Sequence, residues 1–276
     1  LKHTCCLAVD DRAVLGPHHG DLADADTLAG VERDLDHLCR MHGVAPDVIA
    51  HDLHPGYLST QLAMRRPARR RIAVQHHHAH VAACAAENGL VGPFIGVAYD
   101  GLGLGDDGTW WGGEVLVADL RSYRRVARFG TAPMPGGAAA VRDPARMALG
   151  YLLGSESGRV DPGLAAPFLD RQDGDRVRVL TRMVDRGVTS PQTSSAGRLV
   201  DAVASLLGLG DDVSYEAQAA IALEVAARRA PDVDGAARYG DTLPWVLNDV
   251  DALIVYDPVP TLEAVLAGVA RGVDAA

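Results

Sequence analysis

Short apolar runs at residues 4–9 and 13–17 flank Asp10-Asp11-Arg12, which predicts a hairpin. From 25 to 42, Leu28, Val31, Leu35 and Leu38 recur at helical spacing, and Gly43 supplies a stop. The pattern then alternates. Asp47 to His51 reads as a strand and 57–65 as a helix. Arg71 to Gln75 is again a strand, and 77–88 a helix closed by Gly89. Phe94 to Tyr99 is one more strand. Strands alternating with helices predict an α/β sheet with helices packed on it. A glycine-rich stretch from Asp100 to Gly113 reads as loop, and strands follow at 115–119 and 124–129. Past a Pro/Gly-rich joint at 131–142 the periodicity turns helical over 143–153, 174–186, 196–208 and 215–229. A strand at 252–256 and a helix at 260–271 end the pattern. The expected division is a first α/β lobe at 1–135 and a mostly helical second lobe at 136–276.

Composition narrows the function classes. The chain has 276 residues, 48% hydrophobic but only 5% aromatic, so its core rests on Ala, Val and Leu. A formal charge of -10 argues against general nucleic-acid binding, which needs basic surface to displace counterions. The basic run Arg65 to Arg71 reads as a solvated helix end and loop. Cys5, Cys6, Cys39 and Cys84 form no Cys-x-x-Cys pair, so reduced thiols of a cytoplasmic protein are expected. No apolar run has the length of a membrane span, and no signal peptide is visible. The chain starts on Leu1 within a strand-like run, as a piece of a longer polypeptide would.

The strongest chemical signal is Gln75-His76-His77-His78-Ala79-His80, where a strand passes into a helix. Positions four apart share a helix face, so His76 and His80 can address one ion, while His77 and His78 point elsewhere. Neutral imidazole suits iron, zinc, nickel or copper rather than magnesium. Asp100, ending the next strand, is the expected carboxylate ligand. The competing reading is a set of core or capping histidines. Cys84, one step further along the same face, reads as packing.

The glycine run Gly101, Gly103, Gly105 follows a strand but precedes another strand, so it fails the dinucleotide-fold context. Its amides can still approach phosphate. Asp106, Asp107 and Glu114 can meet a cation or solvate the loop. Ser194 or Ser195 can cap the next helix, within which Asp201 can reach ribose hydroxyls or face solvent.

Taken together, these segments resemble the HypF family of hydrogenase-maturation carbamoyltransferases. The resemblance rests on Leu1 to Cys6, His19-Gly20-Asp21-Leu22, Asp52 to Thr60, Val74 to His80 and Asp100 to Glu114. It continues through Pro135-Gly136-Gly137, Arg142 to Ala148, Ser194 to Ala202 and Tyr215 to Ala220. The resemblance implies an actin/Hsp70-like (ribonuclease H-like) α/β ATPase fold, with the second lobe incomplete. It implies metal ligands His76, His80 and Asp100, with iron favoured and zinc possible. It further implies catalytic roles for Asp100 and Glu114. ATP or carbamoyl-adenylate would meet Gly101, Gly103, Gly105, Gly197, Asp201 and Glu216. The implied reaction moves a carbamoyl group from carbamoyl-adenylate, made in an adjacent domain, to the C-terminal cysteine thiol of a HypE-like acceptor. That product leads to the cyanide ligand of [NiFe]-hydrogenase. The alternatives are an O-carbamoyltransferase acting on small molecules, and a non-catalytic metal- or nucleotide-binding remnant.

The likeness has departures. The family's Gly-Gly-Val-Phe-Gln-Asn and Asn-Asp-Gly-Gly elements do not occur, nor do the domains that precede this one, and Ala138 replaces a usual Asp. The stretch is therefore expected to be truncated at both ends and inactive alone.

Overall fold

The computed structural model describes residues 3–229 and 243–272. The chain forms two compact units, Leu1–His76 and His77–Ala276. In the first, β1 (Cys6–Val9) and β2 (Arg12–Leu15) make the expected antiparallel hairpin, turning at Asp10 with a φ of 54°. Helix α1 (Ala25–His42) starts where the Asp24 side chain accepts from the Thr27 amide and ends at left-handed Gly43. Strand β3 (Val48–Asp52), helix α2 (Leu58–Arg65) and strand β4 (Arg70–Val74) form a β–α–β unit. Its strands run parallel, with Asp52 opposite Val74.

Helix α3 (His76–Glu87) begins one residue before the expected helix. The division between the units falls inside its first turn.

The second unit is built on a mixed seven-stranded sheet. Strands β5 (Phe94–Leu104), β6 (Trp110–Ala118) and β7 (Tyr123–Phe129) are an antiparallel meander. Here the loop reading of the glycine stretch is corrected. Strand β5 carries on through Asp100-Gly-Leu-Gly-Leu104 after an irregularity past Tyr99, and β6 starts at Trp110 rather than 115. At Gly105, Gly112 and Gly113 a neighbour occupies the space that a side chain would need. A Cβ on Gly105 would lie 2.0 Å from the Trp111 ring, and one on Gly113 would lie 2.4 Å from the Ser194 carbonyl.

The remaining elements are β8 (Ala132–Pro133), α4 (Ala139–Arg142), α5 (Pro144–Gly154), α6 (Pro162–Leu169), α7 (Gly174–Arg186) and β9 (Gln192–Thr193). They continue with α8 (Ala196–Leu206), α9 (Gln218–Arg229), β10 (Val246–Val250), β11 (Leu253–Asp257) and α10 (Val259–Ala270). Helix α6 and strand β10 were not anticipated. Pro162 and Gly163 look like a loop. Pro at the first helical position nevertheless loses no bond, Asp161 caps the Gly163 amide, and buried Ala165 and Phe168 anchor the turn. Strand β10 has mostly exposed side chains, so no apolar alternation announces it, and its pairing with β11 defines it. Strand β11 lies parallel to β7.

The core of this unit is rich in alanine. Ala132, Ala140, Ala145, Ala148, Ala202 and Ala204 are fully buried, beside Tyr151, Phe168, Leu206 and Leu266. Among the described residues no helix is long and apolar enough to cross a membrane.

Candidate metal centre

Helix α3 has two faces with different chemistry. His77, His78, Val81 and Ala85 are buried against the protein. The other face carries His76, His80 and Cys84, spaced one turn apart. His78 Nε2 lies 2.8 Å from the Asp119 carbonyl oxygen, and its ring lies 4.9 Å from that of Tyr123. His77 has no exposed surface, sits 6.0 Å from the Trp111 ring and brings Nε2 to 3.8 Å from Asp100 Oδ2. These two histidines fasten the helix to the sheet, and this fixes the direction in which the other pair points.

One ligand atom from each of His76, His80 and Asp100 lies within 4.8 Å of the other two. Asp100 is held in place, its Oδ1 accepting from the Gly101 amide at 2.6 Å while Oδ2 lies 3.7 Å from His80 Nε2. Two imidazoles and one carboxylate on one small volume fit a divalent transition ion. Asp52, which the sequence reading passed over, closes on His76: its Oδ2 lies 2.6 Å from Nδ1. Burial pushes the Asp52 carboxyl up, but hydrogen bonds from His76 and the His54 amide outweigh it, so the group sits below its ordinary range.

A groove of about 350 Å³ opens beside this cluster, lined by His80, Val81, Cys84, Asn88, Tyr99 and Asp100 among others. Cys84 is exposed there, so the packing role expected of it is not how it sits. The apolar side of α3 is the one a quarter-turn away.

Glu114 lies elsewhere. It is fully buried, with the Arg125 Nε at 2.6 Å, the Ser194 hydroxyl at 2.5 Å and the Gly112 amide at 3.2 Å. Arg125 continues the network to Asp107 at 3.0 Å and stacks 3.9 Å over the Trp111 ring. Asp106 accepts the Tyr123 hydroxyl. The amides of Gly101 and Gly105 already donate, to Asp100 Oδ1 and to the Thr109 carbonyl, and Gly103 pairs with Trp111 in the ladder.

Gly197 opens α8 against β5. A Cβ there would come within 3.1 Å of the Gly101 Cα, while the Ser195 hydroxyl donates to the Asp100 carbonyl at 2.8 Å. Asp201 is almost fully buried one turn on and pairs with Arg198 at 2.6 Å. Burial pushes its carboxyl up, and Arg198 offsets part of that. Glu216 lies exposed in the turn before α9.

A family model described as carbamoyltransferase, Kae1-like domain, second subdomain matches residues 96–276, and a HypF Kae1-like domain model matches 1–87. The chain belongs to the HypF carbamoyltransferase family. Carbamoyltransferase HypF2 of Cupriavidus necator is 42% identical over 227 residues, covering 81% of this chain and 27% of that protein. Carbamoyltransferase HypF of Rhizobium leguminosarum bv. viciae is 38% identical over 243 residues, 87% of this chain and 31% of that protein. Full-length HypF solved in a phosphate- and nucleotide-bound form superposes with a TM-score of 0.90 at 33% identity, covering 99% of this chain and 34% of that one. T. kodakarensis HypF gives 0.77 at 27% identity, over 96% and 34%. The chain thus spans about a third of the length of these HypF relatives. Its mixed sheet and flanking helices carry the HypF Kae1-like architecture, in keeping with the actin/Hsp70-like fold.

Proposed function

We propose that this chain is the carbamoyl-transfer region of a HypF-type enzyme of hydrogenase maturation. It passes a carbamoyl group from carbamoyl-adenylate to the C-terminal cysteine of a HypE-like acceptor, in the cytoplasm. The observation that carries this reading is the convergence of His76, His80 and Asp100 within 4.8 Å in a chain of the HypF family. The nucleotide in the 0.90 TM-score relative supports an adenylate as donor.

Carbamoyl-adenylate is a mixed anhydride and needs no further activation by ATP. The acceptor sulfur forms a bond to the carbamoyl carbon. The bond from that carbon to the phosphate oxygen breaks, AMP leaves with the electron pair, and the thiol proton goes to solvent. His76, His80 and Asp100 would hold a divalent ion, iron by preference or zinc, which when bound would supply Lewis acidity for this transfer. Asp100 and His80 line the groove together with the apolar side chains of Val81, Ile95 and Val97. The tail of an acceptor enters along this groove. Gly197 permits the close approach of α8 to β5. The start of α8, with its positive dipole end, favours the phosphate side of the adenylate. Glu114 acts at a distance from the reacting atoms by fixing Arg125 and the β6 backbone.

The test uses the protein at its natural length, purified anaerobically, beside the double variant His76→Ala/His80→Ala. Metal content by mass spectrometry is expected at one ion per wild-type chain and none in the variant. With carbamoyl-adenylate supplied, wild type is expected to carbamoylate a peptide ending in cysteine and to leave a sugar alcohol unmodified. Equal metal in both proteins, or modification of the alcohol alone, would overturn the reading.

A further inference from the structure

The geometry points to Asp52 as the positioning residue for His76, selecting the ring tautomer that presents Nε2 to a metal. This rests on the metal reading above, and it concerns a residue outside the ligand set.

The placement is built by the parallel pair β3 and β4. Their register sets Asp52 opposite Val74, so the end of β3 stands beside the chain two residues before His76. The carboxylate is held at both oxygens: Oδ1 accepts from the His54 amide at 2.7 Å, and Oδ2 meets His76 Nδ1 at 2.6 Å. The Asp52 backbone is fixed as well, its carbonyl oxygen taking the Thr60 hydroxyl at 3.3 Å with His51 Nδ1 at 2.8 Å. Asp52 therefore cannot swing away to suit another ring orientation.

An ionised carboxylate only accepts hydrogen bonds, so a neutral His76 must carry its proton on Nδ1. The lone pair is then on Nε2, the nitrogen left for a metal. The same contact locks the ring's rotation and raises its basicity as a ligand. Asp52 is only 15% exposed at the side chain, and that is too little surface for the pair to be a loose solvent-side contact.

The experiment uses zinc alone as the probe, on natural-length protein. Zinc affinity is read by competition with a chromophoric chelator, and the His76 tautomer of the metal-free protein by long-range nitrogen–proton NMR of the ring. Asp52→Asn and Asp52→Ala are each expected to weaken zinc binding about 10- to 100-fold, with Asp52→Glu recovering part of the loss. The wild-type ring is expected as the Nδ1–H form, and that preference is expected to disappear in Asp52→Asn. The near-isosteric Asn variant stands in should the Ala variant fail to fold, and a thermal melt of each reports that directly. Wild-type zinc affinity in a folded Asp52→Asn protein would overturn the assignment. Wild type without zinc affinity would overturn the metal reading instead. The tautomer then still decides the role of Asp52, an Nδ1–H ring sustaining it and an Nε2–H ring refuting it.

Discussion

Arg125 shows how far a single side chain can reach in this fold. It joins buried Glu114, Asp107 and the Trp111 ring, and none of these pairings is visible in the sequence. The convergence of His76, His80 and Asp100 was legible because one pair has helical spacing and the acid follows the strand expected at 94–99, although β5 runs on past it to Leu104. Asp52 and Arg125 were not, because Asp52 meets His76 only through the register of β3 on β4 and Arg125 meets Glu114 only through that of β7 on β6. Breaking a buried ion pair strands a charge, so Glu114→Ala is expected to cost about 3–5 kcal/mol in urea unfolding. Glu114→Leu combined with Arg125→Met should cost clearly less than the sum of the two single changes. Strict additivity would mean that the two side chains do not act as a pair.

The order of helices and strands followed from periodicity, but their ends depended on packing. Gly105, just past β5, and Gly113, within β6, look like loop chemistry until the Trp111 ring and the Ser194 carbonyl fill the space beside them. Pro162 looks like a breaker until its place at the first helical position of α6 is known. The same reasoning decides a sign at Gly150, in the middle of α5. Alanine in a helix interior ordinarily gains about 1 kcal/mol over glycine. Here its Cβ would lie 2.1 Å from the Pro133 carbonyl oxygen, which is backbone and cannot rotate away. Gly150→Ala is therefore expected to destabilise, by about 1–3 kcal/mol, with a lower melting temperature as the readout. A raised melting temperature would show that α5 can move off β8.

At the scale of the whole molecule, the response to acid is set in part by Glu156. It accepts from both outer nitrogens of Arg128 at 2.6 and 2.7 Å and from the Thr131 amide at 2.9 Å. The Arg128 bonds lead in holding its carboxyl down at about 2, from 4.5. A folded value below the unfolded one means that the stabilisation is complete above 4.5 and fades as pH falls towards about 2. Urea midpoints of wild type and Glu156→Gln should therefore differ at neutral pH and converge across that window. A constant gap at all pH values would show that the charge on Glu156 is not involved.

The alanine core has a thermodynamic consequence of its own. Alanine side chains lose no rotamer freedom on burial, but each removes little apolar surface from water. The heat capacity of unfolding scales with that surface and is commonly about 12–15 cal/mol/K per residue. With fully buried Ala132, Ala140, Ala145, Ala148, Ala202 and Ala204 in place of larger side chains, the value here should fall at or below the low end. Such a protein has a broad, shallow dome of stability against temperature, and cooling weakens it less than it would a core built on aromatic rings.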